Sequence, residues 1–551
     1  MRRKIERDGL SVHAVGGTYV VMLGIDMREA DCDGLLGFAI HRTDHTETEA
    51  HWMTGLKTFQ ETDPGFPPGA KVSTRQHPIQ GFTWSDYSAK PGHRYTYRIV
   101  ALKGTPRRLD EVAAVSVEIA TESPEGGSHD VYFNRGVAAS QEYVRRFGNR
   151  SPAEAGPAAF VWLSRGLYEA MTAFIDPPDA AEYEYRISAY EFYYEPFLQA
   201  IKAAHAKGAA FRILYDRRKD QPGTRNEQAT EAAGIADFCL QRRATPSALS
   251  HNKFIVRLKN RTPEAVWTGG TNFSEGGIFG HSNVAHVVED ATVAAAYNAY
   301  WEALSADPEN TRLKPALTAM VELPDGPPPA GTTAVFSPRS SLDALDWYAS
   351  LARSAREGLF MTFAFGMNEA FQDVYRESTA LLRYALLEKK TRPMAAGPQR
   401  TAEEDKIDRL RRMAANRFAI GGMLNRNLFD RWLTERLSNL NKNVRYVHNK
   451  FMLVDPLSAD PIVVAGSANF SAASTNQNDE NMLVIRGDTR VADIYLGEFM
   501  RLYNHHAFRE WAAQRKDESE SPKHLSTEKW WRDYFGNTVR SRQRQYFAGV
   551  R

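Results

Sequence analysis

The strongest constraint in this 551-residue sequence is an internal repeat of polar residues set among apolar ones. The first copy begins SHNKF at Ser250, the second begins VHNKF at Val447, and both carry N-F-S the same distance downstream. His251 and His448 are 197 positions apart (448 − 251), and the lysines, glycines and asparagines keep that offset. A gapless repeat of this length predicts two similar structural units.

Each copy is predicted to gather its polar side chains around one point. On a strand, H-x-K places histidine and lysine on the same face, and an asparagine on a following turn can converge on them. A lysine cation and an asparagine amide suit a phosphate oxygen, and histidine acts as nucleophile or general acid near neutral pH. The candidate catalytic residues are His251, Lys253, Asn272, His448, Lys450 and Asn469.

One copy supplies only half of such a reaction. Displacement at phosphorus needs an attacking group and a proton donor for the leaving oxygen, and each copy holds one histidine. Two copies that meet across a pseudo-twofold axis supply both, with the lysines as built-in cations. We therefore predict one shared catalytic site without a metal ion or cofactor. A monomer is sufficient for it, and the oligomeric state is left open.

The second copy, with His448, Lys450, Asp455 and the G-S-x-N run ending at Asn469, resembles the HKD motif of the phospholipase D superfamily. The resemblance extends over about 130 to 510 and implies two αβ repeats with a shared core. It also implies a covalent phosphohistidine intermediate. By analogy with the family, His251 is assigned as the nucleophile and His448 as the general acid.

The two copies are unequal. The second copy has Asp455, Ser467 and Glu480 where the first has Leu258, Gly270 and Asn283. The family often orients a catalytic histidine with a carboxylate at the position of Glu480, which makes that residue a seventh catalytic candidate. A carboxylate-backed imidazole is the better base or nucleophile. The sequence leaves open whether Glu480 lies behind His448 or reaches across to His251.

The remaining motif positions are assigned from the same resemblance. Asp455 is predicted to have a structural role, so its absence from the first copy does not imply that the first copy is inactive. Four other residues are predicted to bind substrate: Ser467, Asn283, Gly269 and Gly466. His281 and His286 could extend the pocket, although isolated histidines are more often structural. Asp216 ends a predicted strand, where α/β sheets present functional side chains.

The rest of the chain predicts an α/β protein preceded by an all-β domain. Residues 1–122 alternate apolar and polar positions and resemble a fibronectin type III-like sandwich, a candidate for docking a protein partner. Residues 130–322 form the first predicted phospholipase D-like repeat, and 333–551 form the second. The second repeat carries a predicted helical insertion after Thr391 and a basic, aromatic C-terminal tail. The tail suits docking on the core, nucleic-acid stacking or a membrane surface.

Composition narrows the function classes. With 42% hydrophobic and 25% charged residues the chain is predicted to fold, and its two cysteines exclude a disulfide framework. No signal peptide or long apolar stretch is recognised, so we expect a cytoplasmic location, with leaderless secretion left open. The leading interpretation is a metal-independent phosphodiesterase that hydrolyses nucleic acid. A phospholipase or phosphatidyltransferase at a phospholipid surface is second, and a weakly active phosphate-binding scaffold is third.

Overall fold

The computed structural model describes residues 1–67, 69–136, 140–392, 394–421, 447–513 and 524–550. An N-terminal β-sandwich is followed by two α/β halves, as the sequence pattern predicted. Within these ranges no helix combines the length and apolar character needed to cross a bilayer.

The sandwich consists of two antiparallel four-stranded sheets, ordered β1-β2-β3-β8 and β10-β9-β4-β5 in the described ranges. Alternation explains these strands: Tyr95, Tyr97 and Ile99 all point into the core between the sheets. The strands of this region are β1 (Arg2–Arg7), β2 (Leu10–Gly16), β3 (Val21–Met27), β4 (Gly37–Asp44), β5 (Glu49–Trp52), β6 (Thr54–Gly55), β7 (Val72–Ser73), β8 (Thr83–Asp86), β9 (Arg94–Thr105) and β10 (Arg108–Ala120).

The first α/β half is built on a mixed sheet ordered β11-β17-β16-β15-β12-β13-β14. Its strands are β11 (His129–Phe133), β12 (Tyr183–Ala189), β13 (Ala210–Asp216), β14 (Cys239–Arg242), β15 (Lys253–Lys259), β16 (Thr262–Gly269) and β17 (Val284–Val288). Its helices are α1 (Gln141–Phe147), α2 (Pro152–Ala155), α3 (Pro157–Ser164), α4 (Leu167–Phe174), α5 (Glu195–Ala206), α6 (Asp220–Ala233), α7 (Ala291–Ser305) and α8 (Asn310–Met320).

The second half repeats the first strand for strand, in the order β18-β24-β23-β22-β19-β20-β21. Its strands are β18 (Gly331–Ser337), β19 (Gly358–Phe363), β20 (Leu382–Leu387), β21 (Asn416–Ile420), β22 (Phe451–Val454), β23 (Ile462–Gly466) and β24 (Glu480–Arg486). Its helices, and the one that ends the chain, are α9 (Asp343–Arg353), α10 (Glu369–Glu377), α11 (Pro398–Arg411), α12 (Ala472–Asn476), α13 (Thr489–Ala513) and α14 (Val539–Ala548).

The two sheets share one apolar core. Helices α7 and α13 lie between them, so Tyr297 and Trp301 of α7 belong to the same buried cluster as Phe499 of α13. That cluster includes Phe254 on β15 and Phe451 on β22, the residues that directly follow the two motif lysines. The apolar residue of each H-N-K-F motif therefore anchors its strand in the central core.

The structure differs from the predicted helical insertion. Residues 398–411 are helical, but Asn416–Ile420 forms the edge strand β21, parallel to β20. The strand is favoured because Phe418 and Ala419 are buried and the Asn416 side chain accepts from Arg383 Nε at 2.6 Å. The rest of the predicted insertion, residues 422–446, lies outside the described residues.

The C-terminal tail packs against the sandwich. Trp531 and Phe535 belong to the sandwich core, and Trp530 Nε1 donates to the carbonyl of Leu35 at 2.8 Å. Helix α14 lies so close to β3 that a Cβ at Gly24 would sit 2.1 Å from the Phe547 oxygen. The aromatic residues of the tail thus serve packing.

Candidate active site

A cavity of about 730 Å³ lies where the two halves meet. Its position follows from the repeat: Ser250, before the first motif, pairs with Asp479 of the second half, and Val447 pairs with Ser282 of the first. The His251 amide donates to the Asp479 carbonyl at 2.9 Å. These reciprocal pairings bring both motif histidines to one cavity, as a pseudo-twofold arrangement requires.

Glu480 reaches across the seam, the interface between the two α/β halves, to contact His251. Its Oε2 lies 2.9 Å from His251 Nδ1, and the Ser467 hydroxyl donates to the same oxygen at 2.7 Å. Glu480 is fully buried at the first position of β24, so the packing of the two halves fixes its direction. This contact answers the question that the sequence left open.

His448 has a neutral partner at the equivalent place. Its Nδ1 lies 2.9 Å from Asn283 Oδ1. The amide nitrogen of Asn283 donates to the Gly277 carbonyl at 2.7 Å, which leaves the amide oxygen to face His448. Because that oxygen can only accept, His448 Nδ1 carries the hydrogen and Nε2 is free for chemistry. The two histidines therefore occupy matched positions, but His251 has a carboxylate at Nδ1 whereas His448 has a neutral amide.

The two motif lysines are buried beside the histidines. Lys253 and Lys450 are each 1% exposed, and each ammonium donates to the carbonyl of the histidine two residues before it. Burial lowers the pKa of Lys253 to about 8, against an opposing effect of Glu480. Burial, followed by repulsion from Lys253, lowers the pKa of Lys450 well below its ordinary value. A phosphate would supply the negative charge that this pair favours.

Asn272 and Asn469 line the same cavity. Each asparagine follows the second strand of its motif hairpin. Asn272 is buried and Asn469 is half-buried. Among the described residues the Oδ1 atom of each has no hydrogen-bond partner. The six histidine, lysine and asparagine candidates are thus brought together by the structure, with Glu480 directly behind.

The four residues predicted to bind substrate lie behind the cavity. Ser467 holds Glu480 and Asn283 holds His448, so both act on a histidine. Gly269 has φ 132°, and a Cβ there would lie 2.4 Å from the Val284 oxygen; at Gly466 it would lie 2.2 Å from the Asn481 oxygen. The glycines permit close approach of neighbouring strands. None of the four is among the described residues that line the cavity.

Asp455 lies away from the cavity at the end of β22. Its carboxylate accepts from three consecutive backbone amides, those of Arg356, Glu357 and Gly358, at 2.8–3.1 Å. These bonds tie β22 to the start of β19. The corresponding Leu258 of the first half is buried in the central core, where a carboxylate would lack such partners.

Several cavity residues were missed or given little weight from the sequence. His281 lines the cavity and stacks on His448 with ring centroids 4.3 Å apart. Other cavity residues that were not predicted include Tyr190, Glu191, Phe365 and Arg392. Glu191 lies two residues after β12 of the first half, and Phe365 lies two residues after β19, the corresponding strand of the second half. Alignment of the two halves beyond the motifs would have indicated them.

The other candidates lie outside the cavity. His286 Nε2 is 2.8 Å from His129 Nδ1, and its Nδ1 is 3.0 Å from the Tyr495 hydroxyl, in the seam. Asp216 accepts from the Ser250 amide at 3.1 Å, and burial raises its pKa to about 6. It supports the backbone entering the first motif. On α13, His506 is buried and the adjacent His505 is half-buried, and neither lines the cavity.

Both motif histidines are neutral at pH 7. Burial lowers the pKa of His251 to about 4, although Glu480 acts to raise it. Burial, with a further contribution from Lys450, lowers the pKa of His448 well below 6.5. An anion in the cavity would favour the imidazolium forms and raise these pKa values.

We therefore expect the protein to take up protons when it binds tungstate, an oxyanion used here in place of phosphate, near neutral pH. Rings that are neutral in the free site gain protons as the bound anion raises their pKa, and both lysines shift in the same direction. Affinity should rise as pH falls from neutrality. Calorimetry in buffers of different ionisation enthalpy measures the uptake, which His448→Asn should reduce. Binding that releases protons, or that does not change with pH, would contradict this expectation.

Fold and site together define an enzyme in which two matching repeats share one cavity. The family model described as cardiolipin synthase, PLD-like domain matches residues 176–305 and 404–503. Each matched segment contains one H-N-K-F motif, and the two α/β halves are phospholipase D-like domains; members of the phospholipase D superfamily cleave or transfer phosphodiester bonds. No curated protein sequence matches it.

The chain is also similar, at low sequence identity, to three solved structures. Polyphosphate kinase from Porphyromonas gingivalis is 12% identical, with a TM-score of 0.36 over 59% of this chain and 46% of the kinase. Phosphatidylserine synthase from Haemophilus influenzae Rd KW20 is 12% identical, with a TM-score of 0.43 over 70% and 94%. Nuc from Salmonella typhimurium, a phospholipase D family member, is 17% identical, with a TM-score of 0.23 over 32% and 94%.

Proposed function

We propose that the chain is a phosphodiester hydrolase that works by two displacements at phosphorus. In the first, His251 Nε2 attacks phosphorus, a P–N bond forms, and the bond to the leaving oxygen breaks as His448 protonates that oxygen. In the second, His448 removes a proton from water, the resulting hydroxide attacks phosphorus, and the P–N bond breaks. His251 is restored neutral and His448 protonated.

One observation carries this proposal: Glu480 reaches across the seam to His251. A carboxylate on Nδ1 holds the imidazole so that Nε2 presents a lone pair, and it stabilises the positive charge that develops on attack. Asn283 holds His448 in a matching orientation without adding charge. The difference between Glu480 and Asn283 favours His251 as the nucleophile and His448 as the residue that transfers the proton.

Nucleic acid is the substrate class that we propose. Phe365 is half-buried in the cavity wall, and Arg392 is exposed at the same wall. An aromatic face and a guanidinium suit a stacked base and a neighbouring phosphate. A bilayer enzyme would be expected to present apolar side chains around its cavity. None of the large exposed apolar residues in the described ranges lines this one.

A substrate screen in EDTA tests the proposal. Purified protein should cleave labelled single- or double-stranded nucleic acid and leave phospholipid vesicles intact. Cleavage of lipid alone would establish the bilayer alternative, and a requirement for added metal would rule out the proposed chemistry. Turnover of neither substrate would favour a phosphate-binding scaffold.

The Phe365→Ala, Arg392→Met double variant tests the nucleic-acid contacts. We expect kcat/KM for an oligonucleotide to fall about tenfold or more, because a stacked base contributes about 1–3 kcal/mol. The loss for bis(p-nitrophenyl) phosphate should be smaller, since it has no second phosphate. Arg400→Met, at an exposed arginine of α11 outside the cavity, is the control. Equal losses on both substrates would contradict a nucleic-acid subsite.

A further inference from the structure

His281 is the cavity residue whose role the two displacement steps do not use. It is 1% exposed, lies in the loop before β17, and lines the cavity beside His448. The two rings are 4.3 Å apart at a 34° tilt. His448 is already held through Nδ1 by Asn283, so this stack is not needed to choose its orientation.

The hydrogen-bond pattern determines which His281 nitrogen carries the hydrogen. The Asn283 amide nitrogen lies 2.9 Å from His281 Nδ1 and also donates to the Gly277 carbonyl. The Gly277 carbonyl can only accept, so the Asn283 amide cannot be turned around, and His281 Nδ1 must accept. The hydrogen of neutral His281 is therefore on Nε2. Burial lowers the pKa of His281 to about 3 and keeps the ring neutral at pH 7.

The repeat supplies an independent indication. The residue at the matching position of the second half is Asn478, which also lines the cavity. Its Oδ1 accepts from the Leu249 amide at 3.1 Å, so its amide nitrogen is available as a donor. Both halves thus place a neutral N–H donor at the same repeat position. An anionic oxygen in the cavity would accept hydrogen bonds from donors placed in this way.

We propose that His281 is a third imidazole of the site, donating its Nε2–H to a non-bridging oxygen of the substrate phosphate. The ligand class is a phosphoryl oxyanion. The contribution to turnover rests on the function proposed above, whereas the contact with an oxyanion does not. The donor is neutral, so it stabilises added charge at phosphorus without competing with His448 for the transferred proton.

Two substitutions separate the donor from the stack. His281→Asn keeps an oxygen that can accept from Asn283 but removes the Nε2–H, and His281→Phe keeps a stacked ring but removes both nitrogens. Both are expected to bind tungstate about tenfold more weakly, as loss of a hydrogen bond to a charged group implies. His281→Gln, whose amide nitrogen can approach the Nε2 position, should recover part of the affinity.

Kinetics distinguish substrate contact from positioning of His448. If His281 contacts a non-bridging oxygen, kcat/KM should fall about 10- to 100-fold, equally for p-nitrophenyl and alkyl phosphodiesters. A residue acting through His448 would impair mainly the alkyl ester, whose poor leaving group needs protonation. A loss confined to the alkyl ester, with unchanged tungstate affinity, would overturn the proposal.

The control is His205→Asn. The His205 ring also lies 4.3 Å from an aromatic neighbour, Phe238, at an interplanar angle of 55°, but it is outside the cavity. It should leave tungstate affinity unchanged. Thermal unfolding of each variant shows whether it is folded. If the wild-type protein turns over no phosphodiester, the proposed function fails, while the tungstate comparison still decides the role of His281. Unchanged affinity in folded His281→Asn would refute that role.

Discussion

A His448→Asn variant given a labelled phosphodiester is expected to accumulate a covalent phosphoenzyme on His251. Its first displacement proceeds when the leaving group needs no protonation, as with p-nitrophenol. Its second displacement lacks the base that activates water. His251→Asn should form no such adduct and should lose at least about 10⁴-fold in kcat, because no other nucleophile replaces the imidazole.

Rapid acid quenching followed by peptide mapping locates the adduct. The phosphoramidate bond is acid-labile, so mapping under alkaline conditions should run in parallel. Asn449, which lies between the second-motif histidine and lysine, offers a control at a non-catalytic motif position through Asn449→Ala. Label on residue 448 in His251→Asn, with none on residue 251 in His448→Asn, would reverse the assignment of the two histidines.

Glu480→Gln is expected to lower kcat by about 10²- to 10³-fold while the protein stays folded. The amide can occupy the same place but no longer stabilises the charge that develops on His251 during attack. Ser467→Ala, which removes one hydrogen bond to Glu480, should cost less, about tenfold. Steady-state kinetics with a p-nitrophenyl diester measures both.

The pH profile gives a second readout for Glu480. The wild-type kcat/KM should fall on the acid side as His251, with a pKa of about 4, becomes protonated. Glu480 acts to raise that pKa, so Glu480→Gln should move the acid limb to lower pH. Asn283→Asp is the matched substitution at the other histidine. A larger loss of kcat in Asn283→Asp than in Glu480→Gln would contradict the proposed division of roles.

Local patterns in the sequence predicted which residues form much of the site. They could not predict the contacts between the two halves. His251, Lys253 and their counterparts follow from strand periodicity and the repeat. The partner of Glu480 depends on how two sheets pack, which no short window of sequence contains. The same limit affected Gly269 and Gly466, whose role appears only once neighbouring strands are in place.

Two other differences have separate physical causes. Asn416–Ile420 follows a helical segment and lacks a strong breaker, yet pairing with β20 and burial of Phe418 favour a strand. Tertiary context overrode local propensity there. His281 was given little weight because an isolated histidine has no pattern in sequence. Its position beside His448 follows from the pairing of Ser282 with Val447.

The packing of the C-terminal tail on the sandwich has a consequence for biosynthesis. Strands β1–β10 leave the ribosome before the two α/β halves, but Trp531 and Phe535, which complete the core of the sandwich, are translated after both halves. The sandwich core is therefore completed by residues translated after the two α/β halves. During elongation the nascent sandwich exposes an apolar surface that only the later chain covers, so vectorial folding alone cannot complete it.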